Sequence, residues 1–489
     1  MMVELMITEV GLLSALNMVA AVKSAAVVLA VTGDVNFNLN LTNLEAEYPW
    51  GNLCPALDGA DLFFINHEST AANLPDPLPN DYKYEDPFNL TSQLLEACDV
   101  SLAGQSNNHQ FDFWDDGLNR TMQVLAAADQ AQGGLFAATS APPERGRQKP
   151  VVFNSGLDVA VFSFVAQLCH KDPDTGLDIL DSCTCGIPTD TDDDYATPGM
   201  PPEQCYGANQ SSPGLWYLPR PLSNHTKEVN EALAAVAGYR DAHPSHVVVV
   251  NIHAGPNFEW EPAQDREQLL RNFSSVGADL VWGTSSHHLQ RMERGGEHSR
   301  VGGASQEGMR GGHGEDGDGD GDDGGSDSGG GDYGTPIIFG LGDLLFRFIP
   351  GVDKPETCEQ GMSPCEQFRP ELSVVYEFNF SSPSSSFSPQ RGFSAARPSL
   401  TGIRAHPTKH DSLQTQLAQG SDRRWVVDTF NNLSAAFGYV MREDEESGDL
   451  RVVPTPFDSE PGLTSPKKKE KKKKKKKTSP ASSLRRQEE

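Results

Sequence analysis

Asp34, Glu68, Asn108, His109, His253 and His287 bring two carboxylates, one amide and three imidazoles into a single chain. These are donor types that suit a hard-to-borderline divalent cation such as Mn, Fe or Zn. Two such cations about 4 Å apart polarise a phosphoryl or carbonyl oxygen and generate a hydroxide nucleophile, and a carboxylate such as Glu68 could bridge them.

What matters is where these residues fall. Ala25–Val31 (AAVVLAV) reads as a buried strand that delivers Thr32-Gly33-Asp34. Asp61–Asn66 (DLFFIN) ends at His67-Glu68, and Val100–Ala103 leads to Asn107-Asn108-His109. His246–Ile252 ends at His253, and Asp279–Trp282 is followed by Gly283–His288. The spacing predicts helices over 88–97, 117–128, 227–240, 265–276 and 424–437. It predicts further strands at 336–341 and 372–380, and a hairpin of 151–153 with 159–165 around Asn154-Ser155-Gly156. Strands alternating with helices predict an α/β domain with largely parallel pairing. The carboxyl ends of such strands lie along one edge, where ligands bind.

Taken singly, each residue has an ordinary structural explanation. Asp34 suits a turn or a helix N-cap, Asn107-Asn108 a turn, His253 a satisfied core position, and His287 and His288 the surface. Five of them sharing one topological location weakens that explanation.

Composition places limits on partners and on the extent of the core. The chain has 489 residues, 37% of them hydrophobic, and a formal charge of −29. A field that negative disfavours phosphate backbones, so no specific nucleic-acid partner is expected. No stretch is long and apolar enough for a transmembrane span. Residues 466–489 hold ten Lys and two Arg against three Glu, a net of +9, leaving −38 for the rest. This Lys-rich tail, within a disordered 456–489, could contact an acidic surface. Residues 302–334 hold 15 Gly and 9 acids and read as a disordered insertion. The Asp316-x-Asp318-x-Asp320-Gly321 run inside it lacks the Glu that a calcium loop needs at its twelfth position, where Asp327 stands. Residues 170–215 read as a Cys/Asp-rich surface insertion.

Eight Cys and eight Asn-x-Ser/Thr sequons favour a secreted or lumenal location, with the cytoplasm left open. Cys clustering at 169–205 and 358–365 suggests loop staples, Cys358–Cys365 being the simplest pair. Residues 1–24 contain an apolar run, Val10–Val22, that resembles a weak signal but has no preceding Lys or Arg.

Six ordered blocks carry a family resemblance. They are Thr32–Phe37 (TGDVNF), Asp61–Glu68 (DLFFINHE), Asn107–Asp112 (NNHQFD), His253-Ala254-Gly255, Gly277–Gln290 (GADLVWGTSSHHLQ) and Phe339–Phe346 (FGLGDLLF). In this the chain resembles the capsule-synthesis protein CapA family, the poly-γ-glutamate synthesis proteins, over about residues 28–380. That family is similar to the calcineurin-like metallophosphatases. The resemblance implies a four-layer α/β/β/α sandwich formed by 25–301 and 335–455 as one domain. It also implies a divalent metal pair (Mn, Fe or Zn) held by Asp34, Glu68, Asn108, His253 and His287. His109 would be the general acid or transition-state stabiliser, Asp112 would orient it, and Gly342 would shape the rim.

The chain departs from the family pattern at three points. Ser285 stands where the family has a metal-ligating His, Asp343 replaces an Asn, and the acid after His253 comes late, at Glu259. Two readings stay open. One is a phosphoesterase-like hydrolase acting on an anionic polymer or a phosphorylated small molecule. The other is a non-catalytic polymer-binding or assembly protein on the same fold.

Overall fold

A computed structural model describes residues 26–37, 45–73, 84–110, 112–132, 150–166, 218, 226–255, 257–295, 333–346, 368–382, 397–411 and 413–455. The expectations for 1–24, 170–215, 456–489, nearly all of 302–334 and the Cys at 169, 183, 185, 205, 358 and 365 lie outside the described residues. No helix among the described residues is long and apolar enough to cross a membrane.

The chain is mixed α/β, with two large sheets. The first contains β1 (Ala26–Val35), β2 (Leu62–His67), β5 (Leu102–Gly104), β12 (Asp343–Leu345), β13 (Leu372–Ser381), β14 (Ser399–His410), β15 (Thr415–Leu417), β16 (Tyr439–Glu443) and β17 (Leu450–Pro454). Its path runs β16-β17-β14-β13-β1-β2-β5. The second runs β10 (Met292–Gly295), β11 (Thr335–Ile338), β9 (Leu280–Thr284), β8 (Val247–His253), β7 (Leu157–Val165), β6 (Val151–Ser155). A small ribbon pairs β3 (Thr70–Ala71) with β4 (Glu85–Asp86). The helices are α1 (Phe88–Glu96), α2 (Trp114–Gln132), α3 (Lys227–Ala242), α4 (Gln264–Ser275) and α5 (Gly420–Ser434).

Pairing is parallel where the site forms, through β5-β2-β1-β12 and β7-β8-β9-β11. In the rest of the two large sheets it is antiparallel, through β13, β14, β15, β16 and β17 in one and β6 and β10 in the other. This corrects the expectation of largely parallel pairing. The helix–strand alternation that suggested it ends at β9, and β13, β14, β16 and β17 pair as antiparallel neighbours.

Central strands read as unbroken apolar runs because both faces are covered: all seven residues of β8 are buried. One cluster joins Val31, Phe64, Val249 and Trp282, taken from both sheets. A second packs Phe63, Ile65 and Ala103 against Leu94, Leu95 and Leu125 of α1 and α2. A third packs Val248, Val250 and Phe164 against Val236 of α3 and Leu269 and Phe273 of α4. Each fully buried side chain of this size contributes roughly 1.5–3 kcal/mol by leaving water. The predicted hairpin is present, with Gly156 at φ +83° between β6 and β7.

The neighbours of β1 change along its length. Ala26–Val31 pair with β13, whereas Asp34 and Val35 pair with β12. The change falls at Thr32-Gly33, and it sets Asp34 opposite both Asn66 on β2 and Asp343 on β12.

Candidate metal centre

The carboxyl ends of the parallel strands deliver the donors. Asp34 lies in the last turn of the β1 pleat, Glu68 directly follows β2, and His253 is the last residue of β8. Asn108 and His109 sit in the loop between β5 and α2, and His287 lies three residues past β9. Asp34, Glu68 and His253 are almost fully buried.

The structure brings all five expected ligands together. His253 Nε2 is 2.7 Å from Asn108 Oδ1 and 3.4 Å from Glu68 Oε1. His253 Nδ1 is 3.7 Å from Asp34 Oδ1, and His287 Nδ1 is 3.8 Å from Asp34 Oδ2. Among the described residues, two sets of three side chains each bring one ligand atom apiece within 4.8 Å of one another: Asp34, Glu68 and His253, and Asp34, His287 and Asp343. The residue common to both is Asp34, whereas the sequence suggested Glu68 as the bridge.

Neighbours fix these side chains. Asn66 Nδ2 donates to Asp34 Oδ1 at 2.6 Å and lies 3.1 Å from His253 Nδ1, which is also 3.1 Å from Thr284 Oγ1. Arg266, fully buried on α4, donates to the carbonyls of Thr284 (3.2 Å) and Phe339 and to Gln290 Oε1 (3.1 Å). It thereby ties the 284–290 segment to the residue that follows β11. Asn66, Thr284 and Asp343 were not expected in the site as ligands or supports. Asn66 and Asp343 fall within the family-like blocks, but only the register of β1 with β2 and β12 shows their proximity.

Burial dominates the electrostatics of these donors. Burial pushes the Glu68 carboxyl up to about 7. Asp34 is pushed the same way, by burial first and then by Glu68. Burial drives His253 down to about 3, so its imidazole is neutral, the form in which an imidazole ligates a metal. Burial also opposes charge on His287, but Asp343, Glu68 and Asp34 together hold it at about 10. Among the described residues, the ion-pair partners of Asp34, Glu68 and Asp343 are imidazoles alone. Glu68 Oε2 and Asp343 Oδ2 are buried without a hydrogen-bond partner. Buried carboxylates left this way fit a divalent pair.

His109 stands beside the donors. Its Nδ1 is 2.8 Å from Asp112 Oδ2, its Nε2 is 3.9 Å from Glu68 Oε1, and Tyr84 packs edge-on against its ring. Asp112 Oδ2 also accepts from the Tyr84 backbone N–H at 2.8 Å.

A family model described as "Bacterial capsule synthesis protein PGA_cap" matches residues 28–347, about two thirds of the chain. The chain belongs to this bacterial capsule synthesis family. Two similar proteins come from Mycobacterium tuberculosis, strains CDC 1551 and H37Rv, each named a probable polyglutamine synthesis accessory protein. Each is 23% identical over 423 residues, covering 84% of this chain and 82% of the relative.

The three departures of this PGA_cap chain from the family pattern can now be placed. Ser285, at φ +83°, reaches the site through its backbone N–H, which donates to Asp34 Oδ2 at 2.9 Å. Asp343 joins His287, with Oδ1 2.9 Å from Nδ1. Glu259 is exposed on the loop after His253 and belongs to neither donor set. The spare imidazole of His288 also belongs to neither. Its ring packs against Phe368 and Trp260, and its Nδ1 lies 2.7 Å from the Ser286 carbonyl.

Proposed function

We propose that this PGA_cap chain is a metal-dependent hydrolase acting on a phosphoester or a phosphorylated intermediate in the handling of an anionic polymer of the polyglutamate kind. The observation that carries the reading is the pair of buried donor sets sharing Asp34, with Glu68 Oε2 left unpartnered. The packing of α1 and α2 outside one sheet and of α3 and α4 outside the other supports a four-layer α/β/β/α sandwich of the metallophosphatase kind.

In this reading Asp34, Glu68, Asn108, His253 and His287 hold two divalent cations. A bound pair supplies Lewis-acid polarisation and lowers the pKa of water. The residues of the chain do the rest. Asn66 and Thr284 fix the His253 ring, so that Nε2 faces Glu68 and Asn108. Asp112 accepts the Nδ1 proton of His109 and aims Nε2 toward the donors, where it protonates the leaving-group oxygen. Burial of the donors excludes competing water and strengthens each charge interaction.

The alternative, a polymer-binding or assembly protein without turnover, draws on Ser285 in the place of an imidazole and on the accessory naming of the relatives. Metal analysis with hydrolysis of an aryl phosphate separates the two. The hydrolase reading expects about two equivalents of Mn, Fe or Zn, lost with activity in Asp34→Ala and His253→Ala. No bound metal and no hydrolysis would sink it. Activity gained in Ser285→His, from an inactive parent, would favour the alternative.

A further inference from the structure

Asp343 is fully buried and opens β12 directly across from Asp34 on the parallel strand β1. One carboxylate oxygen lies 2.9 Å from His287 Nδ1, and the other has no hydrogen-bond partner. His287 Nδ1 is in turn 3.8 Å from Asp34 Oδ2. Around a cation with bonds of about 2.1 Å, neighbouring donors stand roughly 3–3.5 Å apart. The two separations from His287 Nδ1 bracket that range, and the three ligand atoms lie within 4.8 Å of one another, so a cation can replace the imidazole–carboxylate contact as the carboxylates close on it. No Lys or Arg among the described residues pairs with these carboxylates.

Ser285 has a different part. Its left-handed backbone turns the N–H toward Asp34 Oδ2, so it restrains Asp34 through the main chain. Such a conformation in a non-glycine residue is unfavourable and persists where the surroundings impose it.

We infer that Asp343 completes a second cation position with Asp34 and His287, supplying the anionic donor that the side chain at 285 does not. The inference rests on the metal-centre reading proposed above and extends it to a residue outside the expected ligand set. It also sets the charge of the loaded site. Three carboxylates, Asp34, Glu68 and Asp343, against two divalent cations leave a single positive charge, which suits an anionic group such as a phosphate monoester.

The test is Mn²⁺ stoichiometry by titration calorimetry and elemental analysis on the full chain, with Mn²⁺ alone as the probe. The parent is expected to bind two Mn²⁺ and Asp343→Ala one. Asp343→Asn, equal in size, should weaken the second binding event at least tenfold, and Ser285→Ala should keep both. Circular dichroism of Asp343→Asn guards against misfolding. Two undiminished binding events in both Asp343 variants overturn the inference and leave the metal-centre reading standing. So does a second event lost in Ser285→Ala but not in Asp343→Asn, or a parent that binds one Mn²⁺ with an affinity unchanged in Asp343→Ala. A parent that binds none overturns both.

Discussion

Gly33 and Gly342 press backbone to backbone where β1 meets β12: a Cβ built on Gly33 would lie 1.7 Å from the Gly342 carbonyl oxygen. Gly342 itself sits at φ +79°, a conformation side chains rarely adopt. This close approach holds Asp34 and Asp343 on adjacent strands.

Gly33→Ala should therefore act on the fold and on the metal centre together. The obstruction is backbone, which cannot swing aside as a side chain would, so a loss near 3 kcal/mol is expected, the upper part of the usual overpacking range. Denaturant titration measures it, and Mn²⁺ binding in the fraction still folded should be weakened by the separation of β1 from β12. A variant with parental stability and binding would show that the strands part without cost.

Asp112→Asn tests His109. Burial works against a charged imidazole there, but the charge of Asp112 and its hydrogen bond outweigh burial and hold the His109 pKa above its ordinary value. Removing that charge lowers the pKa, so the protonated form is lost at lower pH. The alkaline limb of kcat/KM for an aryl phosphate should move to lower pH, and kcat should fall about 10²-fold. An unmoved limb would mean that His109 is not the proton donor.

The residues of the site were legible because they follow buried apolar runs, and such runs announce themselves. AVVLAV, DLFFIN and HVVVVNI each end at a donor. β13 was legible from its alternation at 372–380, but the strands after it were not. β14 (SLTGIRAHPTKH) mixes Gly402, Pro407 and several cationic or imidazole side chains with a weak alternation, and only its pairing with the strongly apolar β13 makes it a strand. β12 is three residues inside a glycine-rich block, too short for any period to show. The predicted helix over 424–437 begins earlier, at Gly420, and ends in a 3₁₀ turn over Ala435–Phe437. The Asp34–Asp343 juxtaposition depends on strand register across some 300 residues of sequence, which no local pattern encodes.

Cysteine pairing was equally hidden, since spacing alone does not fix connectivity. Cys54 and Cys98 form a disulfide across 44 residues and pin the segment before β2 to the end of α1. Loop-closure entropy for a ring of that size gives about 4 kcal/mol of stabilisation. The double variant Cys54→Ser/Cys98→Ser should lose a comparable amount in urea, and reductant should lower the parent's melting temperature by more than the variant's. Equal stability of the two proteins would mean that the unfolded chain is constrained by other means.

Metal removal should tie stability to pH with a definite sign. In metal-free protein the Glu68 carboxyl is raised to about 7 and Asp34 is raised with it, so the folded state holds protons that the unfolded chain has released above about 4. The stability this gives is complete at low pH and lost as pH rises through 7. His287, held near 10, adds a loss of the same sign between about 6.5 and 10. His253, driven to about 3, contributes in the opposite sense, but its share is complete above about 6.5 and lost only toward acid. From pH 6.5 upward Glu68, Asp34 and His287, joined by His109 with its raised pKa, all act in this one direction, so the melting temperature in chelator should fall between pH 6.5 and 9. Divalent cations bind the deprotonated carboxylates, so Mn²⁺ should raise the melting temperature more at pH 8 than at pH 6. Calorimetry of the parent beside Glu68→Gln, in chelator and in Mn²⁺, checks both statements. A melting temperature that climbs with pH in chelator would contradict the protonated state assigned to the buried carboxylates.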